Sequence, residues 1–235
     1  MIKDIILTEN MKNTFKKCYI INLDRRQDRY NNFLHRIPFN SNICERFSAI
    51  DGKNILKNKI NENPFVIGCH MSHKKILQMV INDDDIKDDD LILIFEDDVF
   101  FTETFSNEFI KLNETIKLFK ENFIIYIGGR FKPNFKPSLK GWKLYHDKIY
   151  EKIGNEKDDI LPSNYHRTTN VLILNKFTCN EIINKTNHIK TSIPIDSLYN
   201  NIKKYIPDIK IYDFFPHICY SPANYETDIQ NYKKS

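Results

Sequence analysis

Glycine is sparse in this chain, six residues in 235, and its nine prolines are dispersed, so no Gly/Ser-rich or Pro-rich linker divides it. No Gly-rich phosphate loop is present, and no internal repeat. No apolar run approaches the ~18 residues that a membrane span needs. The opening MIKDIILTENMKNTFKK breaks its Ile/Leu patch with Asp4, Glu9 and Lys12, so it does not read as a signal peptide. Five cysteines (Cys18, Cys44, Cys69, Cys179, Cys219) are odd in number and never spaced CxxC, so they offer neither a disulfide framework nor a zinc knuckle. A reducing, cytoplasmic setting follows as the expectation. A strong charge of either sign is missing too: 35 Lys and Arg stand against 31 Asp and Glu, net +4. That excludes a nucleic-acid surface read from charge alone, and suits an anionic ligand or peripheral contact with a membrane.

What remains is an ordinary globular composition, long enough for one sizeable α/β domain. CYIINL (18–23) is a β-branched run of strand length, followed by DRRQDR and by Tyr30, Phe33 and Leu34 at helical spacing. LILIF (91–95) and FIIYI (123–127) are apolar at every position, the mark of strands buried on both faces. NVLIL (170–174) and 209–214 add strands; 106–120, 176–187 and 195–204 read as helices, and GCHMSH (68–73) as the opening of another. Alternating strands and helices predict an α/β fold with a mostly parallel central sheet flanked by helices, in a single domain. Residues 1–15 read as a loosely attached extension, 16–225 as the domain, 131–165 as an acceptor-side insertion, and 226–235 as a polar tail.

The sharpest chemical signal is Glu96-Asp97-Asp98, directly after LILIF. In open α/β sheets ligands sit beyond the carboxyl ends of strands. Adjacent acids there repel one another unless a cation compensates, and hard ions such as Mn²⁺ or Mg²⁺ accept carboxylate oxygens while leaving positions for phosphate. The acids at 83–85 and 88–90 precede the strand and read as solvated turns. Asn22, Arg25, Arg26 and Arg29 gather at the end of the first strand, where guanidinium forks suit phosphate oxygens; pairing with Asp24 and Asp28 on an exposed helix is the alternative. In GCHMSH, Gly68 permits close approach and Ser72 can bond, while His73 shares a face with Ile76, Leu77 and Val80 and suits a buried structural role. Cys69, His70 and His73 lack a fourth ligand for a soft metal. Asp196 stands at a helix start, and Thr168 near the entry to a strand.

Together these segments resemble glycosyltransferase family 25, the family of bacterial lipooligosaccharide and procollagen galactosyltransferases. CYIINLDRRQDR looks like its INL-x-R-x-x-R, GCHMSH its G-C-x-x-S-H, LILIFEDDV its EDDV element, and PIDSL its P-x-D. Arg167-Thr168 stands where the family has Gly-Thr, and 131–165 has no clear counterpart. The resemblance implies a GT-A-like, Rossmann-related fold and an inverting, metal-dependent transfer of a hexose, galactose first, from a UDP-sugar. The acceptor would be a glycan, glycolipid or glycoprotein hydroxyl. It implies Asp97 and Asp98 as ligands of Mn²⁺ or Mg²⁺, and Asn22, Arg25, Arg29, Gly68, Ser72, His73 and Thr168 as donor contacts. Asp196 is the expected base, with Glu96 in reserve. Two other readings compete: a metal-dependent nuclease or nucleotidyltransferase, and a sugar-nucleotide-binding protein without catalysis.

Overall fold

The computed structural model describes residues 2–55, 62–119, 121–131, 142–153 and 168–222. The first half runs α1 (Ile2–Thr14), β1 (Phe15–Asn22), α2 (Gln27–Arg36), β2 (Glu45–Ser48), α3 (Gly52–Ile55), α4 (Pro64–Ile81) and β3 (Leu91–Glu96). Then come β4 (Phe100–Phe101), α5 (Phe105–Ile116), β5 (Phe123–Tyr126), β6 (Gly128–Phe131), β7 (Trp142–His146) and β8 (Ile149–Lys152). The described part closes with β9 (Val171–Asn175), α6 (Lys176–Thr186), α7 (Ile195–Asn200), β10 (Lys210–Phe214) and β11 (Cys219–Pro222).

Eight strands form the main sheet in the order β2-β1-β3-β9-β5-β10-β8-β7. Parallel pairs join β1 to β2 and β3, and β5 to β10; β9 and β8 run against their neighbours, so six of the eight strands point the same way. The expected α/β class with a mostly parallel sheet is therefore what the chain adopts. A second sheet of three strands, β4-β11-β6, sits beyond the carboxyl ends of β3 and β5.

Side chains alternate across the sheet, which divides the core in two. Leu91, Leu93 and Phe95 of β3 join one cluster with Phe33, Phe105, Phe109 and Leu112 from α2 and α5. Ile92 and Ile94 join the other with Ile76, Leu77 and Val80 of α4 and Ile182 of α6. Two helix starts carry plain local signals. Asn63 caps α4, its side chain accepting from the Phe65 N–H with Pro64 in the first turn, and Asn175 caps α6 through the Thr178 N–H.

Several expectations are corrected. Residues 2–14 are a helix packed on α5, with Leu7 and Met11 buried to 0% and 1% exposure, so the amino-terminal segment is part of the core. GCHMSH lies inside α4, whose first turn begins four residues earlier at Pro64. Within 131–165, the described residues include β7 and β8, which extend the main sheet through β10; 132–141 and 154–165 lie outside the described residues, as do the expected tail and Arg167. Finally, Cys18 and Cys44 are disulfide-bonded with Cα atoms 4.6 Å apart. The β1–β2 register sets Tyr19 opposite Glu45 and so brings the two preceding cysteines side by side, a contact that spacing along the chain cannot reveal.

Because Leu7 is fully buried among aromatic and aliphatic neighbours, Leu7→Ala should cost about 2–5 kcal/mol of stability. Urea denaturation followed by circular dichroism will measure it; a change within ~0.5 kcal/mol would mean that α1 is not part of the cooperative core.

Candidate active site

A cavity of about 370 Å³ opens at the carboxyl end of the sheet. Its apolar wall comes from Leu23 after β1, Ile50 after β2, and Phe65 and Val66 in the first turn of α4. Its polar wall comes from Glu96, Asp97 and Asp98 at the tip of β3, Thr168, Thr169 and Asn170 before β9, and Ser221 in β11. Asp196, in the first turn of α7, also lines it, and its Oδ1 accepts the Ser197 N–H at 2.7 Å.

The acids at the strand tip are held from behind. Asp97 and Asp98 are 6% and 7% exposed, and the guanidinium of Arg29, itself buried, pairs with Asp97 Oδ1 while lying 3.8 Å from Asp98 Oδ2. Asn22 donates to Asp97 Oδ2 at 2.6 Å; its own Oδ1 accepts two N–H groups of Arg46, at 3.0 and 2.7 Å. Ser221 Oγ donates to Asp98 Oδ1 at 3.0 Å and in turn accepts from Asn170 Nδ2 at 3.0 Å. Arg36 takes the carbonyls of Asp97 and Val99 at 3.2 and 3.1 Å, which fixes the backbone just past the strand.

One guanidinium set between two buried carboxylates does not match their combined charge. Burial pushes the Asp97 carboxyl up to about 6; Arg29 and the Asn22 bond work against this, while the Asp98 and Glu96 charges add to it. Glu96 behaves differently. Burial opposes its charge, but His73 Nε2 at 3.0 Å and the Thr169 hydroxyl at 2.7 Å, both on Oε1, bring its carboxyl below the ordinary value. Burial also raises the Cys69 thiol well above its usual range, with the charges of Glu96, Asp196 and Asp98 contributing.

Of the expected site residues, Asn22, Arg29, Ser72, Thr168, Glu96, Asp97, Asp98 and Asp196 line the cavity. Three stand outside its lining. Arg25 pairs with Asp51 at 2.6 Å. His73 is fully buried behind Glu96. Gly68 faces the loop after β2: a Cβ there would sit 2.5 Å from the Ile50 carbonyl oxygen and 3.0 Å from the Gly52 nitrogen, which only glycine avoids. Ser72 completes that junction by donating to Gly68 O at 2.7 Å and accepting from Ile50 N at 2.9 Å. Thr168 is different again, since its hydroxyl is buried with no hydrogen-bond partner among the described residues. Reasoning from sequence missed Ser221, Asn170, Arg36 and Arg46. Thr169 and Asn170 followed Thr168 in plain view, but nothing local marked Ser221, which reaches Asp98 through the pairing of β11 with β4 and β6.

Acids on a rigid strand end facing a cavity with an apolar wall are a layout suited to an enzyme, and the match to a family model makes the class explicit: the chain is a glycosyltransferase. It belongs to glycosyltransferase family 25 (LPS biosynthesis protein), whose model matches residues 15–199. No curated protein matches it. Among solved structures it is similar to a putative glucose-1-phosphate thymidylyltransferase from Bacillus anthracis in complex with a sucrose: 10% identity over 89% of this chain and 72% of that one, TM-score 0.41. A second similarity is to a mannose-1-phosphate geranyltransferase from Thermus thermophilus: 7% identity over 89% of this chain and 63% of that one, TM-score 0.38. Neither likeness bears on the site. No helix among the described residues is long and apolar enough to cross a membrane.

Removing Arg29 strands two buried carboxylates, so Arg29→Met should destabilise the fold by about 3–5 kcal/mol at pH 7.5. A carboxyl raised on folding costs stability when ionised, above about pH 6 for Asp97, and that cost fades below it. The deficit of the variant should therefore shrink at pH 5. Urea denaturation at both pH values checks this; an equal deficit at each would show that the loss is one of packing.

Proposed function

We propose that this chain is an inverting, divalent-cation-dependent hexosyltransferase that moves a sugar, galactose first among candidates, from a UDP-sugar to a glycan, glycolipid or glycoprotein hydroxyl. The observation that carries the reading is the buried aspartate pair at the tip of β3, sharing the Arg29 guanidinium and facing the cavity. Hard oxygen donors with a surplus of negative charge fit Mn²⁺ or Mg²⁺. Asp97 and Asp98 together would hold the ion, each already steadied from behind, Asp97 by Asn22 and Arg29 and Asp98 by Ser221 and Arg29. When bound, the cation would supply a Lewis acid for the departing diphosphate.

The chain's own residues account for the rest. Leu23, Ile50, Phe65 and Val66 would take the flat base of the nucleotide, because that wall offers apolar contact and excludes water. Arg29, fixed between the aspartates, tempers their repulsion toward a diphosphate. The unpartnered Thr168 hydroxyl is a donor for a phosphate or sugar oxygen. The reacting carbon passes through an oxocarbenium-like state, and the acceptor hydroxyl must lose its proton as it attacks from the opposite face. Asp196 is the proposed base: it lines the cavity from the first turn of α7, and the Ser197 N–H that its Oδ1 accepts holds the carboxyl group in place. Arg25, held by Asp51 outside the lining, is left out of donor binding here. Family membership weighs against the nuclease or nucleotidyltransferase reading.

UDP release across a panel of UDP-sugars, with and without Mn²⁺, tests the proposal directly. Turnover should need both cation and sugar donor, and Asp98→Asn should lower it about 10²-fold or more with the fold intact. Cation-independent turnover, or an active Asp98→Asn, would overturn the metal assignment. Donor binding without turnover would favour the non-catalytic alternative. For Asp196→Asn, kcat should fall while UDP-sugar binding, read by calorimetry, stays within about twofold; equal loss of both would make Asp196 a structural acid.

A further inference from the structure

GCHMSH is absorbed only in part by the reading above: Gly68 and Ser72 fasten a loop, but Cys69 and His73 have no role in it. They lie four residues apart on one face of α4, and Glu96 reaches them from the end of β3. The Cys69 sulfur, a His73 ring nitrogen and a Glu96 oxygen all lie within 4.8 Å of one another. We infer that these three side chains form a second cation site, selective for thiophilic divalent ions of the Zn²⁺ class, with its fourth position open to the cavity.

The chemistry of the donors sets the selectivity. Thiolate, imidazole and carboxylate together suit Zn²⁺, whereas Mg²⁺ and Mn²⁺ favour all-oxygen sets such as Asp97 and Asp98. Tetrahedral zinc with these ligands places its donor atoms about 3.3–3.8 Å apart, from bond lengths of about 2.0–2.3 Å. His73 Nε2 and Glu96 Oε1 are 3.0 Å apart and must separate slightly, while no pair, all lying within 4.8 Å, need close by more than about 1.5 Å, a side-chain adjustment. Cys69 and Glu96 both line the cavity, which leaves an entry path and an exposed coordination position.

Proton balance is simple. The Cys69 thiol loses its proton to solvent, and the hydrogen on His73 Nε2 is replaced by one on Nδ1, so the imidazole stays neutral. Nδ1 is buried without a hydrogen-bond partner among the described residues, and metal binding would change only whether it carries the hydrogen. Thr169 keeps its hydroxyl bond to Glu96 and steadies the carboxylate as a ligand. Occupancy would draw Glu96 onto the ion beside the aspartate pair, so a thiophilic ion is expected to restrain the site.

Cobalt titration of the full chain, without nucleotide, tests this independently of any transferase activity. One equivalent of Co²⁺ should produce thiolate-to-cobalt charge-transfer absorption that stoichiometric Zn²⁺ displaces and excess Mg²⁺ does not. Cys69→Ser should abolish the band with an unchanged circular dichroism spectrum, and Glu96→Gln should keep the band but weaken Co²⁺ binding at least tenfold. No thiolate band in the wild-type chain, a band that survives in Cys69→Ser, displacement by Mg²⁺, or unaltered affinity in Glu96→Gln would each overturn the proposal.

Discussion

Two buried carboxylates side by side, with a single guanidinium between them, are the constraint around which the carboxyl end of this sheet is organised. Water would solvate Asp97 and Asp98 freely; the fold instead buries them and supplies Arg29, Asn22 and Ser221 in its place. Each of these partners has a partner of its own. Arg46 orients the Asn22 amide, Asn170 steadies Ser221, and Arg36 ties down the carbonyls that follow. Three strands, the turn before β9 and one helix thus converge on two side chains. Preorganisation of this kind costs stability and is retained where charge must be met during a reaction.

Behind the strand tip the support is apolar. Phe95 immediately precedes Glu96 and packs against Phe33, Phe39 and Phe101, with ring centroids 5.7 to 6.0 Å apart. Phe101 and Phe105 continue the cluster into α5. A strand end that carries three acids would fray if its backbone were exposed on both sides; here aromatic packing and the β9 ladder clamp it while the acids face the opening.

The parts legible in the sequence were those with strong local signals. LILIF and FIIYI announced buried central strands because every position is apolar, and the acids after LILIF announced the site because they follow a strand without a break. What stayed hidden depends on partners far along the chain. In α1 the buried positions Leu7 and Met11 have helical spacing, but Ile5 and Ile6 are exposed at 61% and 53% and blur the pattern. The edge strand β7 and its neighbour β8 carry Lys143, Tyr145 and Glu151 among their apolar residues and lack the continuous run of a central strand. Arg25 and Arg29 look equivalent in DRRQDR, yet one meets Asp51 and the other meets the aspartate pair; only the turn after β1 separates them.

At the junction of α4 with the loop after β2, main chain rests on main chain: a side chain at Gly52 would strike the Pro64 carbonyl at 2.5 Å, and one at Gly68 the Ile50 carbonyl. The spacing between these two elements is therefore set by bare polypeptide and cannot be tuned by exchanging one residue for a larger or smaller one. Any change in the size of the chamber beside it would have to fall on the neighbouring Phe65 and Val66 instead, leaving this main-chain contact untouched.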